Sequence, residues 1–250
     1  MIILTFDVDW APDAVVADTL ELLAAHGARA TLFATHETTV LRGIEADGFE
    51  VGIHPNFNPL LAGQGGSADD VLDGILDLYP AARGVRSHSM LQSTPLLAKF
   101  AARGLRYDAN HFLPYQPIRP FGLWTGMVRI PYNWEDDVHW QYGRSFDDPG
   151  LELDAWPLCV LDFHPVHVYL NTEREERYAA ARPHYQDPAA LRRHRNATSV
   201  PGARDLLLAV LRRSRARTAC TTLAELAESF TSETWRPMGQ TDGAGISDAH

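Results

Sequence analysis

The sequence predicts a single α/β domain with a largely parallel sheet. Short apolar runs rich in β-formers alternate with helix-like segments, and such alternation implies parallel strands joined by helical crossovers. With 250 residues and 45% hydrophobic composition, the chain is long enough to bury one sizeable core. About seven or eight strand–helix units would close a barrel, although an open doubly wound sheet has the same local pattern.

The elements follow in chain order. Residues 2–6 form a continuous apolar run, expected of a strand buried on both faces. Asp13 is positioned to cap a helix whose broad apolar face (Val15, Val16, Leu20, Leu22, Leu23) ends at His26-Gly27. Residues 30–34 read as a strand, 37–46 as a helix and 49–53 as a strand. Ser67-x-x-Asp70 resembles a capping box and opens a helix through Leu78. A short strand is expected at 84–86, and a helix from Thr94-Pro95 to Ala102 with proline in its first turn. Weaker strand signals lie at Tyr107 and 128–130, and a strong buried-strand signal at 158–163. Helices are expected at 173–182, 204–213 and 223–229, with a strand near 217–219. Residues 114–149, rich in Pro, Trp and Tyr, read as a long loop insertion over one face of the domain, which spans 1–231. The polar end at 232–250 reads as a loosely held tail.

Charge and composition narrow the function. A formal net charge of -10 repels phosphate backbones, so no nucleic-acid partner is expected. Lys99 is the only lysine, and no polybasic patch or long apolar stretch points to a membrane. Cys159 and Cys220 fit neither a disulfide framework nor a CxxC zinc motif. The short apolar start runs straight into acids without a small-residue cleavage site, so a cytoplasmic location is expected.

Chemistry-bearing residues directly follow the expected strands: Asp7 and Asp9, then His54, Arg86 with His88, and His164. In a parallel α/β fold all strand C-termini lie on one face, where these groups converge. Any one of them alone reads as well as a helix cap or a structural histidine; their shared placement is the stronger signal. In Asp7-Val8-Asp9 the two carboxylates, two residues apart in extended backbone, point to one side. Close carboxylates resist joint ionisation unless a cation or a proton intervenes. One metal ligand beside one general base is a natural division of labour. Oxygen plus imidazole donors suit zinc or another first-row divalent metal.

An ordered set of motifs resembles the polysaccharide deacetylase (NodB-homology) family. Thr5-Phe6-Asp7-Val8-Asp9 is similar to that family's first motif, and Ala30-Thr31-Leu32-Phe33 to its Ala-Thr-Phe-Phe strand. Glu50-Val51-Gly52-Ile53-His54 resembles the segment that leads into its metal-binding histidines. Gly84-Val85-Arg86 falls where the family has its arginine, and Leu161-Asp162-Phe163-His164 where it has its catalytic histidine. The resemblance covers about residues 1–170. It implies a distorted (β/α) barrel of roughly seven or eight strands. It further implies Asp9 and His54 as metal ligands, Asp7 as general base held by Arg86, and His164 as general acid. The activity so implied is removal of an N-acetyl or other N-acyl group from an amino sugar or related metabolite, by attack of metal-activated water.

The sequence departs from the family at the second metal-binding histidine. Asn58 stands there, in His54-Pro55-Asn56-Phe57-Asn58-Pro59, and an amide oxygen is a poorer zinc ligand than imidazole. His88, two residues after Arg86, is a candidate to supply the missing nitrogen; substrate contact or a structural role are the alternatives. A variant subgroup found with O-antigen genes (WbmS-like) shares the His-Pro-Asn-Phe-Asn and Phe-His-Pro-x-His patterns, and this sequence is most similar to it. Further candidates for substrate contact are Trp10, with simple packing as the alternative, His167, with a surface loop role as the alternative, and Asn110 and His111, which fall near the family's fourth motif; Trp124, Trp134, His139 and Trp140 in the insertion are sugar-recognition candidates, with interface or lid packing as the alternative. Two other functions stay open: hydrolysis of a different amide or cyclic imide, and a catalytically inactive carbohydrate-binding homologue.

Overall fold

The computed structural model describes residues 1–214 and 221–234. The chain runs β1 (Ile2–Asp7), α1 (Asp13–Ala25), β2 (Thr31–Ala34), β3 (Glu50–Ile53), α2 (Asn58–Leu61), α3 (Ala68–Leu78), β4 (Gly84–Val85), α4 (Thr94–Ala102) and β5 (Tyr107–Asp108). There follow β6 (Phe121–Gly122), β7 (Val128–Arg129), β8 (Trp134–Glu135), α5 (Asp136–Gln141), β9 (Cys159–Phe163) and α6 (Pro165–Leu170). Four helices complete the described chain: α7 (Glu175–Ala181), α8 (Pro188–Arg193), α9 (Ala203–Ser214) and α10 (Leu223–Thr234).

One nine-stranded sheet has the order β6-β7-β5-β4-β3-β2-β1-β9-β8. Every pairing is parallel except β6 with β7. The sheet curls into the expected distorted barrel. β7, next to the edge strand β6, lies against β5, and the opposite edge strand β8 lies against β9, with only residues 130–133 between β7 and β8. A lone bridge from Phe112 to Tyr132 and the Asn133 N–H donating to the Val160 carbonyl at 3.1 Å hold that crossing in place.

Alternation along β1 divides the core. Leu4 and Phe6 face outward into a cluster with Val15, Val16 and Leu23 of α1, Phe163 of β9 and Leu206, Leu207 and Val210 of α9. Ile3 faces the other way, into a cluster with Phe33, Tyr107, Val160 and the α10 residues Leu223 and Ala227. Thr5 and Asp7 share that inner side by strand periodicity. Helix α10 therefore closes the barrel at the strand N-termini. Glu50 fastens it there, accepting from the Ala224 N–H at 3.0 Å, the Thr31 hydroxyl at 2.7 Å and the Tyr107 hydroxyl at 2.7 Å. Each fully buried leucine or phenylalanine contributes roughly 1.5–3 kcal/mol through removal from water.

Most elements lie where the sequence places them, and Ser67 with Asp70 forms the expected capping box on α3. Three expectations are corrected. Asp13 does not cap α1 but is its first residue; its carboxylate takes the hydroxyls of Thr38 and Thr39 instead. Residues 37–46 are not one helix but two short 3-10 turns, Thr39–Leu41 and Ile44–Asp47. The threonine hydroxyls are committed to Asp13, and Gly43 at φ 77° breaks the run. Residues 114–149 are not a plain loop, since they contain β6, β7, β8 and α5. Strands of two residues are too short to show a period. The strand expected near 217–219 and most of the expected tail, from residue 235, lie outside the described residues; α10 itself extends to Thr234. Among the described residues no helix is long and apolar enough to cross a membrane.

Candidate metal centre and active site

The C-terminal ends of the parallel strands build the site. After Asp7 the chain leaves the sheet through two non-glycine residues in the left-handed region, Asp9 (φ 43°) and Trp10 (φ 57°). That conformation costs roughly 1–2 kcal/mol per residue, so it persists only where neighbours hold it. Three hydrogen bonds do so. The Tyr185 hydroxyl donates to the Asp9 carbonyl at 2.7 Å, Gln186 Nε2 to the Trp10 carbonyl at 3.0 Å, and the Trp10 N–H to Thr35 Oγ1 at 2.9 Å.

The turn brings the Asp9 carboxylate against two imidazoles. Asp9 Oδ1 lies 3.2 Å from His54 Nε2 and 3.1 Å from His88 Nδ1, and the two nitrogens are 3.4 Å apart. His54 arrives at the end of β3, its N–H donating to the Ala34 carbonyl at 2.7 Å. His88 is placed two residues beyond Arg86, its N–H donating to the Pro55 carbonyl at 3.0 Å. Burial acts to raise the pKa of Asp9, but hydrogen bonds from His54 and His88 and the nearby imidazole charges hold it far below the usual carboxylate range. Burial disfavours a charged His54, yet Asp7 and Asp9 outweigh it and push its pKa up.

Arg86 organises the floor. It is buried, sandwiched between the rings of Phe33 (4.6 Å) and Tyr132 (4.2 Å), and donates to Asp7 Oδ1 at 2.9 Å and Thr5 Oγ1 at 3.1 Å. The same nitrogen that reaches Asp7 also pairs with Asp162. One guanidinium thus serves two buried carboxylates. Burial pushes the Asp162 carboxyl up to about 7 despite Arg86.

His164 follows β9. Both oxygens of the fully buried Asp136 hold it: Oδ1 lies 2.7 Å from Nδ1, and Oδ2 accepts the His164 N–H at 2.8 Å. This leaves Nε2 facing the cavity, 3.7 Å from Asp9 Oδ2. Burial disfavours the imidazolium, but the Asp136 charge and hydrogen bond carry the His164 pKa well above its ordinary value. His167, one turn later, is shifted the opposite way by burial and by the charge of His164.

Two cavities meet over these groups, sharing Asp9, His88, Asp137 and His164. The inner one, about 150 Å³, adds Asp7 and His54. The outer one, about 400 Å³, adds Trp10, His167, Tyr178, Arg182 and Tyr185.

Asp7, Asp9, His54, Arg86, His88 and His164 therefore come together as one cluster, and Trp10 and His167 line its outer cavity. Asn58 lines neither cavity; it begins α2, and its Nδ2 donates at 3.0 Å to Ser89 Oγ, next to His88. Asn110 is buried beneath the site; its Oδ1 accepts the Ser87 N–H at 2.6 Å and its Nδ2 donates to Asp108 at 2.9 Å, which steadies the Arg86–His88 segment. His111 is half-buried and outside both cavities. Trp134 and His139 are core residues bonded to each other at 3.0 Å. Trp140 packs edge-on against His167, and exposed Trp124 lies on the turn before β7, at the far end of the strands. Sequence reasoning missed Asp136, Asp162, Tyr178, Arg182 and Tyr185. The acidic run Glu135-Asp136-Asp137, and a lone acid inside the apolar strand 159–163, were the available signals.

A family model described as "WbmS-like: Polysaccharide deacetylase" matches residues 4–182. No curated protein matches the sequence. A crystal structure from Bordetella bronchiseptica, assigned as a polysaccharide deacetylase involved in O-antigen biosynthesis, shares 45% identity over 85% of this chain and 90% of that one, with a TM-score of 0.79. Two more distant structures share the fold. An assigned polysaccharide deacetylase from Mycobacterium smegmatis matches at 16% identity and TM-score 0.55, over 94% of this chain and 91% of that one. The peptidoglycan deacetylase PdaC from Bacillus subtilis matches at 15% and 0.52, over 93% and 92%. With the family model spanning well over half the sequence, the chain belongs to the WbmS-like polysaccharide deacetylase family.

Proposed function

We propose that the protein removes an N-acyl group, acetyl above all, from an amino sugar of a glycan or glycan precursor, with a divalent cation held by Asp9, His54 and His88. The donor triangle of Asp9 Oδ1, His54 Nε2 and His88 Nδ1 carries this reading, with edges of 3.1, 3.2 and 3.4 Å. A zinc tetrahedron with bonds of about 2.0–2.1 Å has edges of about 3.3–3.4 Å. The donor set, one carboxylate and two imidazoles, also suits zinc or a neighbouring first-row ion, and His88 takes the place vacated at Asn58. When bound, such an ion supplies Lewis acidity to an acyl carbonyl and to water.

The chain's own residues then divide the proton work. Arg86 fixes Asp7 Oδ1, leaving the other carboxylate oxygen to take a proton from the attacking water. As the new C–O bond forms and the C–N bond breaks, His164 Nε2 delivers a proton to the leaving nitrogen, so a carboxylate and an amine result. Asp136 keeps the proton on His164 until that step. Trp10 and His167 border the cavity in which the sugar is held.

Purified protein supplied with zinc or cobalt is expected to release acetate from N-acetylated sugars, and Asp7→Asn to abolish release. His88→Ala is expected to lower bound metal and Asn58→Ala to leave it unchanged. Asn58 at a family ligand position is the observation favouring an inactive sugar-binding homologue. Metal-loaded protein that releases no acetate from a broad panel of N-acetyl sugars would favour that second reading.

A further inference from the structure

The outer cavity carries an anion-binding pair that the deacylation chemistry does not use. Tyr178 and Arg182 stand four residues apart at the end of α7, where helical geometry continues through Arg182 (φ -52°, ψ -38°), so both side chains project over one face. Both line the cavity of about 400 Å³. Arg86, Arg103, Arg177 and Arg204 are each paired with a carboxylate. Arg182 has no carboxylate partner among the described residues. Two acids line the same cavity: Asp9 belongs to the proposed cation site, and Asp137, whose Oδ1 is buried without a hydrogen-bond partner, lies near Glu135 and His164. Tyr178 is fixed edge-on against His167, ring centres 4.7 Å apart, and its hydroxyl has no hydrogen-bond partner among the described residues.

A guanidinium fork beside a phenol hydroxyl is a donor pair matched to carboxylate or phosphate oxygens. Its position sets where the charge must lie, because the acyl group has to reach Asp9 and His164 while the rest of the sugar lies along the same cavity. We propose that Arg182 and Tyr178 form an anion subsite, so that the substrate is an N-acylated sugar that also bears a carboxylate or a phosphate. This rests on the deacylase reading for the orientation of the sugar, but the subsite can be measured without turnover.

Calorimetric titration of the zinc-loaded protein with glucosamine, glucosaminuronic acid and glucosamine 6-phosphate tests it, since none of the three has an acyl group to remove. One of the two acids is expected to bind about 10- to 100-fold more tightly than glucosamine, and which one identifies the anion. Arg182→Gln is expected to abolish that ratio, Arg182→Lys to restore part of it, and Tyr178→Phe to reduce it a few-fold. Equal affinity for acidic and neutral sugars, or a ratio unchanged in Arg182→Gln, overturns the proposal. Because this assay reads binding alone, a failed acetate-release assay leaves its outcome intact. Conversely, release from neutral sugars without any anion preference removes only the subsite.

Discussion

Replacing Asp136 by asparagine tests the proposed role of His164 as the acid and the part that Asp136 has in it. The substitution keeps the shape but removes a charge whose two oxygens sit 2.7 Å from Nδ1 and 2.8 Å from the backbone nitrogen of the same residue. With charge centres about 4 Å apart and an effective dielectric near 20, the lost attraction is about 4 kcal/mol before relaxation. Asparagine also has one acceptor end for two donors, so either Nδ1–H or the backbone N–H loses its partner. In the proposed mechanism His164 acts as an acid only while protonated, so activity is expected to fall as pH rises through its pKa. Asp136 raises that pKa and thereby moves the alkaline limb upward. Asp136→Asn is expected to lower kcat/KM about 100- to 10,000-fold and to shift the alkaline limb to lower pH, with bound metal unchanged. The assay is acetate release from an N-acetyl sugar across pH 5–10, with metal content measured in parallel. A variant within twofold of the parent, with the same alkaline limb, would show that Asp136 does not hold the proton on His164.

Other perturbations have equally defined outcomes. Tyr185→Phe removes the hydroxyl that holds the left-handed Asp9 carbonyl at 2.7 Å; a loss of about 0.5–1.5 kcal/mol is expected, read as a roughly 2- to 10-fold weaker metal Kd in chelator competition. An unchanged Kd would show that the other contacts hold the turn alone. Burial pushes the Cys159 thiol up to about 11, so iodoacetamide at pH 8 should label the Cys159 peptide only after denaturation, as read by mass spectrometry. Burial raises the Glu50 pKa in the folded state above its unfolded value. The resulting stabilisation is full below about pH 4.5 and is lost as pH rises through the folded pKa. Glu50→Gln should therefore gain on the parent in denaturant midpoint between pH 4 and pH 8; a gap that moves the other way contradicts the assignment.

Much of the architecture was legible in the chain, for a physical reason. Strands buried on both faces, such as Ile2–Asp7 and Cys159–Phe163, leave continuous apolar runs, and the polar residue that ends each run marks the strand's functional end. Asp7, His54, Arg86 and His164 could be read that way, as could His88 just beyond Arg86. The rest depended on tertiary placement. β7 and β8 are two residues each and carry no period, so 128–130 gives only a weak strand signal and Trp134–Glu135 gives none. Asp136 supports His164 from 28 positions away, and Tyr185 holds Asp9 from 176 away. No local pattern announces such partners. Asn110 drew notice by its place near the family's fourth motif, and no local pattern reveals that its amide bonds the backbone of Ser87 and the Asp108 carboxylate.

Everything proposed for the site depends on Asp9, His54 and His88 together holding a cation. Crystals grown with zinc and measured at the zinc edge test it most directly. One anomalous peak is expected about 2.0–2.2 Å from Asp9 Oδ1, His54 Nε2 and His88 Nδ1. A peak ligated by His54 and Asn58 without His88, or no peak in fully zinc-equilibrated crystals, would contradict it.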